Sequence, residues 1–199
     1  EFAGEELLHQ TGSDQSYCNF GYVLLGLLIE QWSKEPWHHR VNQCLKLFAG
    51  EHSILFWPFP KPEKLAVGHG PEGVWNRTHL ALSNAAAGTS AVGTASDLAR
   101  FGKVLIQLAQ ADDPIWQAMT TPPLKMPRNE RCIGFGEGLM VMDWGGHQVF
   151  GHDGLTIGQQ AFMRLFPQTG ISYGLLANGG DMTGLQVAVA KAFSSITKA

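Results

Sequence analysis

The stretch Gly151-His152-Asp153-Gly154-Leu155-Thr156-Ile157-Gly158, continued by Gln160 to Phe166, Pro167-Gln168-Thr169-Gly170 and Ile171 to Ala177, decides the fold. Its apolar residues recur with period two on both sides of a Pro-x-x-Gly break, the pattern of two antiparallel strands joined by a hairpin. Upstream, His147 to Gly151 reads as another strand, joined through Gly145-Gly146 to a strand-like run from Gly134 to Met142. Downstream, residues 183–198 place Leu185, Val189, Ala192, Phe193 and Ile196 at helical spacings. That spacing predicts a terminal amphipathic helix laid against the sheet.

The first half has a different period. Between 18 and 33, Phe20, Val23, Leu24, Leu27, Leu28 and Trp32 recur at three and four residues, which predicts a core helix with Asn19 as its N-cap. A second helix is expected over about 35–49, with Pro36 in its first turn. Residues 50–95 are loop-rich. Trp57-Pro58-Phe59-Pro60-Lys61-Pro62 cannot be a regular helix, and the small residues from Asn84 to Thr94 predict tight turns. Ser96-Asp97 opens a further helix carrying Leu98, Phe101, Val104, Leu105 and Leu108 on one face, with either residue as cap. A shorter helix is expected over 112–120. The reading is one α+β domain. Residues 1–132 form its helix- and loop-rich region, and 133–199 its antiparallel strands and terminal helix.

Composition excludes several classes. The chain has 199 residues, 44% hydrophobic and 16% charged, with a formal net charge of -3. That is globular and gives no electrostatic footprint for nucleic acid or an anionic membrane. The three cysteines, Cys18, Cys44 and Cys132, form no Cys-x-x-Cys pair and no disulfide framework. The longest apolar run, Tyr22 to Ile29, is far short of the roughly 18 residues of a transmembrane candidate. No secretory signal opens the chain, and Glu1-Phe2 reads as an interior start.

Two polar clusters carry the chemistry. Tyr17-Cys18-Asn19 stands at the mouth of the first apolar helix, and His152 lies between glycines in Gly151-His152-Asp153-Gly154. In chain order come Tyr-x-Asn, then Ala85-Ala86-Ala87-Gly88 with Thr94-Ala95-Ser96-Asp97-Leu98-Ala99-Arg100-Phe101, then His-x-Gly, then Leu176-Ala177-Asn178-Gly179. This series resembles the serine β-lactamase-like hydrolases, the group of class C β-lactamases, D,D-peptidases, D-aminopeptidases and related esterases. The resemblance implies a β-lactamase and penicillin-binding-protein-like fold and acyl-enzyme chemistry on an ester, amide or β-lactam-like substrate. It implies Tyr17 as general base and His152 as the basic residue of the third motif, where lactamases usually carry lysine. Asn19 would contact serine, lysine or substrate. Gly154 would let substrate approach the backbone, and the N–H of Leu155 would be one oxyanion donor. A phenol with its usual pKa of about 10 serves as a base near neutrality only beside cations. His152 and a lysine are the candidates.

The resemblance also implies a Ser-x-x-Lys well upstream of the tyrosine, and only sixteen residues precede Tyr17. The expectation is a segment lacking that element. A missing N-terminal part or a second polypeptide would supply it, and residues 1–199 alone would be nearly inactive. One Ser-x-x-Lys does occur, Ser195-Ile196-Thr197-Lys198, but it follows the His-x-Gly hairpin and has no long helix after it. It reads as coincidence, with a circularly permuted site as the other option. The alternative function is a non-catalytic binding or interaction module that keeps the scaffold. No cofactor is expected. His147, His152 and Asp153 match no zinc spacing, so no metal is expected either. His38-His39 reads as a solvated pair. Asn76-Arg77-Thr78 is a glycosylation sequon by pattern only. Phe56, Trp57, Phe59 and Trp75 read as a loop packed by its own aromatics. The family resemblance suggests an extracytoplasmic setting.

Overall fold

The computed structural model describes residues 4, 6–56, 65–70, 73–74, 91–124, 132–156, 158–180 and 182–196. Trp57–Pro62, Trp75, the sequon at Asn76, the small-residue run from Asn84 to Ser90, and Lys198 lie outside them. Two helices come first, α1 (Asn19–Ser33) and α2 (Trp37–Ala49). The short strands β1 (Leu55–Phe56), β2 (His69–Gly70), β3 (Gly73–Val74) and β4 (Ala91–Val92) pair as β1 with β4 and β2 with β3. Then follow α3 (Ala95–Gln110) and α4 (Pro114–Thr120). The five strands after them are β5 (Cys132–Phe135), β6 (Met140–Trp144), β7 (His147–Thr156), β8 (Gln159–Phe166) and β9 (Ile171–Ala177). They form one antiparallel sheet in sequence order. Helix α5 (Thr183–Ile196) closes the described chain.

The meander follows from its turns. Gly145 and Gly146 both take positive φ, at 65° and 89°, which suits the two central residues of a tight hairpin. Gly170, at φ 70°, ends the Pro167–Gly170 turn. The run read as a single strand over 134–142 is instead two strands. Gly136 N–H donates to the Leu139 carbonyl at 2.9 Å, and Gly138 takes φ 104°. The spaced glycines mimic strand alternation while they build a turn.

The sheet has two apolar faces. On one, Leu139, Val141, Phe150, Met163 and Leu165 pack with Leu105 and Ile106 of α3 and Trp116 of α4. Trp116 meets the Phe150 ring edge-on at 5.0 Å. On the other, Met142, Val149, Phe166 and Tyr173 pack with Val189 and Phe193 of α5. Tyr173 and Phe193 stack at 5.0 Å. Helix α3 lies close on the sheet because both surfaces carry glycine there. A Cβ on Gly102 would fall 2.7 Å from Ser172 Oγ, and one on Gly174 would fall 2.6 Å from Leu98 Cβ.

Three helix expectations need correction. Cys18, not Asn19, occupies the N-cap of α1 in extended conformation, with no side-chain cap bond, and Asn19 is the first helical residue. Thr94 caps α3 in a full capping box with Asp97 at N3. In α5, Val189 and Phe193 face the sheet but Leu185 and Ala192 are exposed. The largest departure is α1 itself. Phe20, Leu24, Leu25, Leu27, Leu28 and Trp32 are all exposed, and only Gly26 is buried. Helix α1 packs on α2, where Glu30 Oε1 accepts from the Trp37 N–H at 3.1 Å. At about 3.6 residues per turn these leucines share one broad face of about 160°, opposite the half-buried side of Val23, Ile29 and Ser33, so α2 leaves that face uncovered.

Candidate active site

Strand β7 is longer than β6, and this mismatch makes the site. The β6–β7 register ends at Met140↔Gly151, whereas the β7–β8 register continues from Phe150↔Leu165 to Thr156↔Gln159. Residues 152–156 therefore extend past β6, paired on one side only among the described residues. His152, Gly154 and Leu155 all lie on this length. His152 sits opposite Met163, half-buried. Its Nδ1 is 2.8 Å from the Asp153 carbonyl oxygen. A carbonyl only accepts, so Nδ1 carries the hydrogen, and Nε2 is the nitrogen left to exchange a proton.

Tyr17 reaches the same place from the other end of the chain. It lies in the extended segment before α1 and is 42% exposed. Its ring centroid is 6.1 Å from that of His152 and 5.7 Å from that of Phe135. Phe135 and His152 are 6.2 Å apart, which closes a triangle of three rings. Phe135 was absent from the sequence reading, because an aromatic residue in a strand is more often core. Its position between Gly134 and Gly136 is the one signal available. Tyr22 also stands near: burial first, then the neighbouring Tyr17 phenol, pushes its own phenol up.

The remaining site residues are placed less tightly. Asn19 is exposed and its side chain makes no hydrogen bond among the described residues, so the geometry does not join it to Tyr17 and His152. The Leu155 side chain is 78% exposed. Gly154 differs from the packing glycines, because a Cβ there would meet Ala161 Cβ at an ordinary 3.4 Å. The fold does not require glycine at 154. Cys18 and Cys44 are exposed, and Cys132 is buried. His147 and His152 are five positions apart on one strand, so their side chains leave opposite faces, about 16 Å apart along it. Ser195 falls in the last turn of α5, and Thr197 and Lys198 lie outside the described residues.

A second polar centre fixes the entrance to α3. Asp97 is buried and accepts from Ser53 N–H at 3.1 Å, Thr94 N–H at 3.0 Å and Thr94 Oγ1 at 2.7 Å, with a further very short bond from Ser53 Oγ. Burial alone would raise its pKa. The hydrogen bonds from Ser53 and Thr94 outweigh that and hold the carboxyl well below the usual carboxylate range. Asp97 thus clamps the loop after α2 to α3, a structural task that its place in the motif series does not disclose.

Comparison with known proteins supports the same architecture. Penicillin-binding protein 4 of Amycolatopsis lactamdurans is 27% identical over 187 residues, covering 84% of this chain and 48% of that protein. The D-amino acid amidase of Ochrobactrum anthropi SV3, solved with L-phenylalanine amide, superposes with a TM-score of 0.74 at 26% identity, covering 94% of this chain and 58% of that one. An octameric penicillin-binding protein homologue from Pyrococcus abyssi shares the fold at a TM-score of 0.75 and 23% identity, over 87% of this chain and 40% of that one. The chain spans about half the length of these relatives. Among the described residues no helix is long and apolar enough to cross a membrane. The family model described as Beta-lactamase matches residues 1–192, and this chain belongs to that family.

Proposed function

We propose that residues 1–199 form the proton-transfer and oxyanion side of a serine hydrolase acting through an acyl-enzyme. The observation that carries this is the meeting of Tyr17 and His152, ring centroids 6.1 Å apart, on the length of β7 that extends past β6. In this reading a serine attacks the substrate carbonyl, and Tyr17 takes its proton as general base together with a lysine. His152, through Nε2, supports the phenol or holds a substrate carboxylate. The Leu155 N–H donates to the developing oxyanion, and Gly154 leaves room for the substrate backbone. Asn19 contacts the nucleophile or substrate once they are in place. The D-amino acid amidase likeness and the histidine favour an ester, amide or D-amino acid peptide substrate over a β-lactam. The family likeness also favours an extracytoplasmic setting.

The serine and lysine come, in this proposal, from polypeptide outside residues 1–199, either the same protein or a partner. Two observations support it: the exposed leucines of α1 and the half-length match to relatives. Intact mass of the purified assembly identifies the additional polypeptide. A fluorophosphonate probe should then label a serine in it. Tyr17→Phe should lower the labelling rate by about 10²–10⁴. Unchanged labelling removes Tyr17 from the mechanism, and no labelling of the whole assembly leaves the non-catalytic binding module.

A further inference from the structure

Arg164 on β8 is a buried cation, 4% exposed, that none of the proposed chemistry uses. Its Nη1 forms an ion pair with the Asp153 carboxylate. The same nitrogen donates to the Met163 carbonyl at 2.8 Å and reaches the His152 carbonyl at 3.5 Å. The guanidinium lies over the rings of Trp144 and Phe162, each at 5.8 Å. Its register partner on β7 is Gly151. A Cβ at 151 would stand 1.9 Å from the Met163 carbonyl oxygen, so only glycine permits the strand approach that sets Arg164 beside Asp153.

We infer that Arg164 and Asp153 are positioning residues that fix the His152–Leu155 edge of β7 from the face opposite His152. The inference rests on the proposed role of that edge. The need is plain in the topology: from His152 onward β7 has β8 on one side and, among the described residues, no strand on the other. A half-paired strand holds its amides and its histidine less tightly than a fully paired one. The pair sits where that support ends, gripping His152 through its carbonyl and the next residue through its carboxylate.

Stability does not account for the arrangement. Arg164 Nε and the neighbouring Tyr173 hydroxyl are buried without hydrogen-bond partners among the described residues, and Asp153 Oδ1 meets Arg164 as a charge pair without hydrogen-bond alignment. Burial pushes the Tyr173 phenol up, and it feels both charges, Arg164 lowering and Asp153 raising, so the three groups share one environment. Arg164 is buried and the Asp153 side chain is 38% exposed, and a pair so incompletely satisfied around a buried cation is commonly replaced by apolar residues without loss of stability.

The test uses the complete enzyme and its Asp153→Leu/Arg164→Met variant. Three quantities are read: thermal midpoint, amide hydrogen exchange across residues 152–156, and the rate of acylation by a fluorophosphonate. The midpoint should stay within a few degrees. Exchange across 152–156 should quicken several-fold, and acylation should slow about tenfold or more, as misplacement of a reacting group does. Arg164→Lys, which keeps the charge without the fork, should fall between parent and double variant in both and serves if the double variant does not fold. Unchanged exchange across 152–156 overturns the inference whatever the activity. Faster exchange with unchanged acylation removes the pair from any part in the reaction. A parent enzyme that is never acylated defeats the proposed function instead, while exchange still decides whether the pair holds the edge.

Discussion

Helices α1 and α3 are nearly equal in length, 15 and 16 residues, and opposite in how they are held. Helix α3 is amphipathic. It turns Leu105 and Ile106 into the core, lets Gly102 touch the sheet, and starts in a capping box with a buried carboxylate. Helix α1 starts without a side-chain cap and carries its exposed leucines on one broad face, opposite the half-buried Val23 and Ile29. A helix that is apolar on both sides is built for burial on both. The contrast separates a region packed on both sides, the sheet with α3, from one with an uncovered apolar face, α1 beside Tyr17, where the proposed function places further polypeptide.

The strongest way to break this contrast is Leu24→Ala with Leu28→Ala. In residues 1–199 alone, denaturant unfolding should shift by no more than about 0.5 kcal/mol per site, as at any exposed position. In the complete assembly each should cost about 2–5 kcal/mol, the range for buried leucines. Equal small effects in both would show α1 to be a true surface helix. Next in size is Asp97→Asn, expected to destabilise by about 2–3 kcal/mol through loss of charge-assisted bonds. The sign with pH is fixed by the depressed carboxyl: its stabilisation is present above the unfolded-state carboxylate pKa of about 4 and is lost as pH falls through the folded value. The parent-minus-variant difference should therefore be flat from pH 5 to 8 and shrink on acidification. A difference growing towards low pH contradicts the assignment. The smallest effects come as a matched pair of opposite sign. Gly102→Ala meets Ser172 and should destabilise by about 1–3 kcal/mol. Gly21→Ala has nothing within 4 Å and should stabilise residues 1–199 by about 0.5–1 kcal/mol. Melting curves of the two variants check this, and like signs would erase the distinction between the helices.

The same contrast shows what could be read from sequence. Strands β8 and β9 were legible because period two and the Pro167–Gly170 turn agree. The α3 face was legible because its leucines keep strict helical spacing. The α1 span was legible too, but its environment was not, since spacing says which residues are apolar and nothing about what covers them. The turn at Gly136–Leu139 stayed hidden because its glycines alternate as a strand would. In the site, the motif residues Tyr17 and His152 were legible and do meet. Phe135 and Arg164 were not, because an aromatic or an arginine in a strand is ordinary until a register shows its neighbour. Asn19 was placed by its motif, and the geometry does not yet join it to the pair.

The meander has a kinetic consequence. Each strand of the sheet finds its partner next in sequence across a short turn, so the sheet needs only short loops to close. Helix α3 must instead meet β9 across the four strands between them, and Tyr17 must meet β7 across most of the chain. The ribosome makes these helices before the sheet that receives them. Through that interval, and after it until something covers them, the leucines of α1 stand in solvent, an exposed apolar surface of the kind that makes a nascent chain prone to aggregate.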